Sequence, residues 1–434
     1  MWRRLLLYVS LAALAGAGCD SRESLDKAPA RGNRTGLTKG AGAGAGPDPA
    51  DTDKATAMAK NAIIVDGHID VPYRLNNSRD ADGNLTEDIS ERTKEGDFDY
   101  PRAVAGGLDA PFMSIYIPSK YQKTGGAKKL ADELIDMVEG FIEKHPDKFA
   151  KAHSVADVRE NHEDGKVSLP MGMENGAGIE KDLKNLKHFY NRGIRYITLT
   201  HATDNAICDS SYDDSRTHKG LSAFGKKVVP EMNRLGIMID VSHVSDDAFF
   251  QVMELTRVPV IASHSSCRHF TPNYERNMSD EMIKKLGRNG GVIMINFGSS
   301  FINDESRAHF KKKREAVKKF QQDNDIEDDN DPRVKEFSKR YDEENPPRFA
   351  TVGEVADHVQ HVVKLVGIDA VGFGSDFDGV GDTLPVGLKD VSMYPNLIAE
   401  LLERGYNEAD IAKMAGGNVL RVWNEVEDYA AKQK

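Results

Sequence analysis

The sequence predicts an α/β fold, a (β/α)8 barrel of the TIM type, on three observations. Eight short and nearly continuous apolar runs recur along the chain. Segments with helical spacing of apolar residues lie between them. The runs end, one after another, in polar side chains able to do chemistry. Strands that are apolar on both faces need cover on both faces, which is the condition of a parallel sheet flanked by helices.

In chain order the runs occupy 62–70, 110–118, 167–175, 194–201, 236–244, 258–265, 290–297 and 370–377. Helical periodicity fills 183–190, 221–235, 248–255, 282–286 and 352–366. Eight strands alternating with helices close most economically as a barrel, with reactive side chains at the C-terminal strand ends. An open doubly wound sheet is the alternative, but no run is followed by a GxGxxG or GxxxxGK[ST] turn. One stretch breaks the rhythm. From about 304 to 346 both charge signs crowd together, as in Lys311-Lys312-Lys313-Arg314 and Asp328-Asp329, up to Pro346-Pro347. This predicts an exposed helical hairpin inserted after the seventh strand, a solvated face first and a lid over the site second.

The 434 residues are 39% hydrophobic and 29% charged, enough for a large core. Lys+Arg 58 against Asp+Glu 69 leaves a net charge of -11, which excludes nucleic acid or an anionic bilayer as the main partner of the folded part. The three cysteines, Cys19, Cys208 and Cys267, make neither a disulfide framework nor a Cys-rich zinc site. Buried free thiols are the expectation for Cys208 and Cys267, their pairing being left open. Arg3 and Arg4 precede an apolar stretch, 5–15, too short to anchor in a bilayer, so 1–18 is expected to be a signal peptide. Gly16-Ala17-Gly18-Cys19 resembles the lipobox of bacterial lipoproteins, although a Leu usually stands where Gly16 does. The resemblance implies diacylation of Cys19 and export to the cell envelope, on its periplasmic or outer surface face; an ordinary signal peptide is the alternative. The Gly- and Ala-rich segment 19–54 then reads as a flexible tether, with the body at 55–434 and no other contact with the membrane.

The polar strand ends are specific. The first strand closes on Asp66-Gly67-His68-Ile69-Asp70, and alternation puts His68 and Asp70 on one face, about 7 Å apart along the chain. The third ends in Glu174, the fourth in His201, the fifth in His243, the sixth in His264 and the eighth in Asp376. Any one of these alone reads as a capping or hydrogen-bonded residue. Together, four His and three carboxylates at one barrel mouth would be a costly buried cluster unless they hold cations. Imidazole and carboxylate without thiolate suit zinc, or manganese or iron, and the donor count suits two ions better than one.

These motifs resemble, in order, the renal (membrane) dipeptidase family of dinuclear zinc metallopeptidases within the amidohydrolase-like barrels. The set also includes Gly172-Met173-Glu174, Thr198-Leu199-Thr200-His201, Asp240-Val241-Ser242-His243-Val244-Ser245, Ser263-His264-Ser265-Ser266, Arg276-Asn277, the run 372–379 and the tail 416–423. The resemblance implies two Zn2+ per chain, with His68 and Asp70 on one, His243 and His264 on the other, and Glu174 bridging. It implies Asp376 as the proton carrier, His201 facing the oxyanion, Arg276 clamping the terminal carboxylate of a dipeptide, and Asn277 beside it as a further substrate-binding residue. A D residue at the carboxyl end is expected to be tolerated. A second copy of the chain is the one macromolecular partner left open. Two other functions stay open here: a related amidohydrolase cleaving an N-acyl amino acid or a lactam, and a binding lipoprotein without catalysis.

Overall fold

The computed structural model describes residues 49–328 and 331–433. The export signal, Cys19 and the tether up to residue 48 lie outside the described residues. The remainder of the segment assigned to the tether falls in a helix, Pro49–Asn61, that continues into the body. Ala55 and Ala59, one helical turn apart, are both fully buried, so the boundary at 55 lies inside a packed element.

Eight parallel strands close a barrel: β1 (Ile64–Ile69), β2 (Leu108–Tyr116), β3 (Met171–Glu174), β4 (Ile194–Thr198), β5 (Met238–Asp240), β6 (Ile261–Ala262), β7 (Val292–Ile295) and β8 (Val371–Phe373). Each lies at one of the eight apolar runs, and β1 pairs with β8 at Asp66 and Phe373 to complete the ring. Period-two alternation separates the two faces. Along β7, Val292 and Met294 enter the barrel interior while Ile293 and Ile295 pack outward under the helices. The helices begin where capping residues predict. Ser245 accepts from the Ala248 N–H, Ser279 from that of Met282, and Thr351 forms a reciprocal capping box with Glu354. Among the described residues, no helix is long and apolar enough to cross a membrane.

The N-terminal end of the barrel is plugged. The last helix, Asn418–Ala431, drives the fully buried Trp423 against Phe112, with ring centroids 5.3 Å apart. Higher in the interior Tyr196 takes the space that Gly172 leaves, where a Cβ would meet its ring at 2.0 Å. Among the described residues the C-terminal end stays open. There the insertion after β7 forms two helices, Asp304–Asp323 and Pro332–Glu344. Asn303 caps the first by accepting from Ser306 N–H, and Lys313 pairs with Asp342 of the second at 2.5 Å.

Close backbone approach at the barrel mouth requires glycine on both sides of the Ser263 carbonyl. A Cβ on Gly67 would stand 2.3 Å from that oxygen, and one on Gly374 only 1.9 Å from it. Gly140, inside the helix Ala127–Lys144, has nothing within 4 Å of where its Cβ would be. Gly374→Ala is therefore expected to lower the free energy of unfolding by about 1–3 kcal/mol, whereas Gly140→Ala should raise it by about 0.5–1 kcal/mol. Urea-denaturation midpoints of the two variants check both signs.

Candidate active site

Two buried aspartates build the mouth from below. Asp66 in β1 accepts the backbone N–H groups of His68 (2.9 Å) and Ser375 (3.0 Å) and the hydroxyl of Tyr394. Asp240 in β5 accepts the N–H groups of Ser242 (3.0 Å) and Ser263 (2.8 Å) and the hydroxyls of Thr198 (2.5 Å) and Ser263 (2.6 Å). Each carboxylate ties its own strand end to neighbouring ones, which places the side chains above it.

Those hydrogen bonds also choose tautomers. The Tyr196 hydroxyl donates to the Gly67 carbonyl at 3.0 Å, so its oxygen is free to accept from His68 Nδ1 at 2.8 Å. His68 Nε2 is then turned toward the site, buried and without a hydrogen-bond partner; burial opposes charge on this ring, but Tyr196, Glu174 and Asp70 hold it well above the ordinary imidazole range. In the same way the Ser263 hydroxyl, committed to Asp240, accepts from His264 Nδ1 at 2.7 Å and leaves Nε2 to face the site. Burial, then the neighbouring Arg276 guanidinium, holds His243 well below the ordinary imidazole range, and burial, then His68, does the same to His264.

Glu174, at the end of β3 and 3% exposed, stands between these rings. Its Oε1 lies 3.1 Å from His243 Nε2 and 3.3 Å from His264 Nε2, and its Oε2 lies 3.5 Å from His68 Nε2. Asp70 Oδ2 is 3.5 Å from the same His68 nitrogen, and Asp70 Oδ1 is buried without a partner. The donor atoms of His68, Glu174 and His264, those of Glu174, His201 and His243, and those of His68, Asp70 and Asp376 each fall within 4.8 Å of one another. Burial opposes the charge on Glu174, but the rings of His201 and His68 and hydrogen bonds from His243 and His264 hold its carboxyl well below the ordinary range. A buried carboxylate held low, imidazole nitrogens gathered about it and two orphaned buried donor atoms, His68 Nε2 and Asp70 Oδ1, fit a metal centre.

The other expected residues divide. Asp376 is brought to the cluster, where Asn296 Nδ2 donates to its Oδ2 at 2.7 Å. Burial and the carboxylate of Asp70 push it up to about 7. Asp376 and His243 both hold left-handed backbone, φ 63° and 68°, a strain of order 1 kcal/mol each that clusters at functional sites. His201 is brought in too, but at 3.7 Å from Glu174 Oε1 and 3.4 Å from the Tyr116 hydroxyl it is the loosest held imidazole and faces the cavity. Arg276 is buried behind His243. Its guanidinium donates to Ser265 Oγ (2.8 Å) and the His264 carbonyl (2.8 Å) and lies 3.0 Å from His243 Nε2, with Nε unpartnered.

Asn277 is not brought to the site. It is fully buried, its amide donates to Thr271 Oγ1 and the Phe301 carbonyl at 2.7 Å each, and its Oδ1 accepts from Ser266 N–H, so it braces the loop instead of reaching substrate. Cys208 and Cys267 are buried free thiols. Sequence reasoning missed Tyr196 and Asn296, and it gave Asp240, which stands in the recognised run 240–245, no role. The available signals were strand alternation, which turns Tyr196 inward opposite Gly172, and the position of Asp240 ahead of Ser242-His243.

Above the cluster opens a cavity of about 1140 Å³. Asp70, Glu174, His201, His243 and Asp376 form part of its lining, Tyr73, Tyr116, Tyr212 and Tyr274 add aromatic faces, and the first insertion helix supplies a wall.

A family model described as membrane dipeptidase (peptidase family M19) matches residues 52–434. The chain is similar to Dipeptidase tcpJ of Claviceps purpurea (strain 20.1), with 33% identity over 378 residues, 85% of this chain and 78% of the relative. It resembles the solved structure of the probable dipeptidase PvdM from Pseudomonas aeruginosa at 29% identity and a TM-score of 0.73, over 88% of this chain and 99% of that one. A metallo peptidase from Rhodobacter sphaeroides, liganded with a phosphinate mimic of the dipeptide L-Ala-D-Ala, shares the fold at 24% identity and a TM-score of 0.67, over 84% of this chain and 99% of that one. With the family match running from the first described helix through the last, the chain belongs to the membrane dipeptidase family, peptidase family M19.

Proposed function

We propose that the protein is a dinuclear zinc dipeptidase, exported and held to the cell envelope by a lipid on Cys19. The observation that carries the two-metal reading is the division of donors about Glu174, with His243 and His264 on Oε1 and His68 with Asp70 on the Oε2 side. One carboxylate with two separately attended oxygens is the donor arrangement of a bridge. When bound, two zinc ions supply Lewis acidity and make water a nucleophile near neutral pH.

The remaining steps belong to the chain. Asp376, fixed by Asn296, takes the proton of the attacking water and returns it to the departing amine, which cannot leave as an anion. His201 donates to the carbonyl oxygen as charge grows on it in the tetrahedral state. Arg276 clamps the terminal carboxylate. Its guanidinium stands 3.0 Å from His243 Nε2, next to the donors that would hold a metal, and its fork suits a carboxylate held beside them. A terminal D residue is tolerated because the cavity above the cluster leaves its side chain room, a reading supported by the L-Ala-D-Ala mimic held by the Rhodobacter peptidase.

Saturation with zinc followed by desalting should leave two zincs per chain by elemental analysis, and Glu174→Ala should lose both together. The loaded enzyme should hydrolyse L,L and L,D dipeptides but act poorly on tripeptides and amidated dipeptides, which put a neutral amide where a charge is expected. Hydrolysis of N-acyl amino acids but of no dipeptide would move the reading to a related amidohydrolase, and zinc loading without any hydrolysis would make the chain a binding lipoprotein.

Asp376→Asn and His201→Ala should separate chemistry from metal binding. Both variants are expected to retain two zincs. Asp376→Asn should collapse turnover, while His201→Ala should cost about 2.7–4 kcal/mol of transition-state stabilisation, read from kcat. Loss of a zinc from His201→Ala would make His201 a ligand.

Cys19→Ala should release the protein from membranes with activity intact, as fractionation and a dipeptide assay together will show. Membrane association that survives the substitution would remove the lipid-anchor reading.

A further inference from the structure

One wall of the cavity belongs to the insertion and not to the barrel. Phe310, Lys313, Arg314, Val317, Lys318 and Gln321 recur at three- and four-residue spacing along Asp304–Asp323, so a single face of that helix looks into the cavity. Among the charges elsewhere on the helix, Arg307 pairs with Asp304 (2.7 Å), Lys311 with Glu315 (4.0 Å) and Lys319 with Asp323 (2.7 Å), while Lys312, without a partner among the described residues, does not line the cavity. Lys313, on the cavity side, is matched by Asp342. Arg314 and Lys318 differ, because among the described residues neither has an ion-pair or hydrogen-bond partner. Arg314 is near enough to Tyr274 to act electrostatically on its hydroxyl. Tyr274 in turn shares a 2.9 Å hydrogen bond with Tyr212, whose ring centroid lies 5.8 Å from that of His243. Two unmatched cations, one helical turn apart, thus line the same cavity as the metal cluster.

A simple dipeptide presents one carboxylate and fills little of 1140 Å³, a volume above the ~300–1,000 Å³ of ordinary small-molecule pockets. Resting on the dipeptidase reading above, we propose that Arg314 and Lys318 form a subsite for a second carboxylate, and that the preferred substrates are dipeptides with an acidic side chain. A carboxylate there makes charge-assisted hydrogen bonds, forked at Arg314 and pointlike at Lys318, that the isosteric amide cannot reproduce. The insertion therefore sets side-chain preference while the barrel sets chemistry.

The test compares kcat/KM of the zinc-loaded full-length protein on Ala-Asp against Ala-Asn and on Glu-Ala against Gln-Ala, with Ala-Ala as the neutral reference. Wild type is expected to prefer at least one acidic partner by about tenfold, the effect of one charge-assisted contact. The double substitution Arg314→Gln, Lys318→Gln should bring that ratio close to one. Lys319→Gln, which removes a cation from the outer face of the same helix, should keep it. Equal rates on both pairs in wild type, or a preference that survives the double substitution, overturns the proposal. So does a double variant that loses Ala-Ala hydrolysis as fully as acidic-dipeptide hydrolysis, since the cations would then serve the carboxylate common to all dipeptides. Cleavage of Ala-Ala without acidic preference leaves the dipeptidase reading standing, whereas failure on every dipeptide removes that reading and the subsite with it.

Discussion

A carboxylate 3% exposed and ringed by imidazoles has no water to answer its charge, so Glu174 must be compensated from within the protein. The imidazoles share this task unequally: burial opposes charge on His68, but Tyr196, Glu174 and Asp70 hold that ring well above the ordinary imidazole range. Burial keeps His243 and His264 well below the ordinary range, and Asp70 and Asp376 bring further carboxylate oxygens within 4.8 Å of His68. Against these acids the neighbourhood supplies one permanent cation, Arg276, and it stands behind His243. Two buried donor atoms without hydrogen-bond partners, His68 Nε2 and Asp70 Oδ1, make the cluster one that a metal cation would complete. That requirement explains why donors end the strands where other barrels could end in apolar side chains.

Holding such a cluster is a problem of rigidity, and the fold meets it one layer down. Asp66 and Asp240 are themselves buried carboxylates, but each is satisfied by backbone N–H groups and hydroxyls from more than one strand end. A fully bonded buried polar group specifies a single arrangement, whereas a half-bonded one would destabilise it. The orientation then passes upward through Tyr196 to His68 and through Ser263 to His264. Left-handed backbone at His243 and Asp376 is carried by the same framework, since strain of that kind persists only where surrounding contacts determine it.

How much of this was legible in the sequence follows from how local each signal is. Strand positions were legible because apolar runs buried on both faces have no other ready explanation, and all eight barrel strands lie within or beside them. The ligand-type residues were legible because His and Asp at strand ends contradict the apolar pattern just before them. Tyr196 was not, because an aromatic residue inside a strand satisfies the pattern it interrupts, and its partners His68 and Gly67 lie about 130 residues away. Asn296, and the role of Asp240 within its recognised run, were hidden for the same reason, their work being to hold other strands' residues. Arg276 and Asn277 were read as a pair because they are adjacent, yet the loop sends the first toward His243 and buries the second against Thr271 and Phe301. The charged stretch was legible as helices, but which of its cations would find partners depended on a second helix and on the barrel mouth.

That last point separates two kinds of constraint in the molecule. Chemistry is built on strand ends whose positions are shared by eight paired strands, so one residue cannot shift without breaking the bonds of Asp66 or Asp240. The insertion is attached by its ends, capped by Asn303 and tied to the body by the Ser306 hydroxyl on the Arg348 carbonyl, and its cavity-facing side chains take part in none of those bonds. Substitutions along 310–321 therefore alter the wall against which substrate rests without disturbing the donors beneath it. A barrel that closes its lower end with Trp423 and leaves its upper end to loops has confined variation to the side where substrates enter.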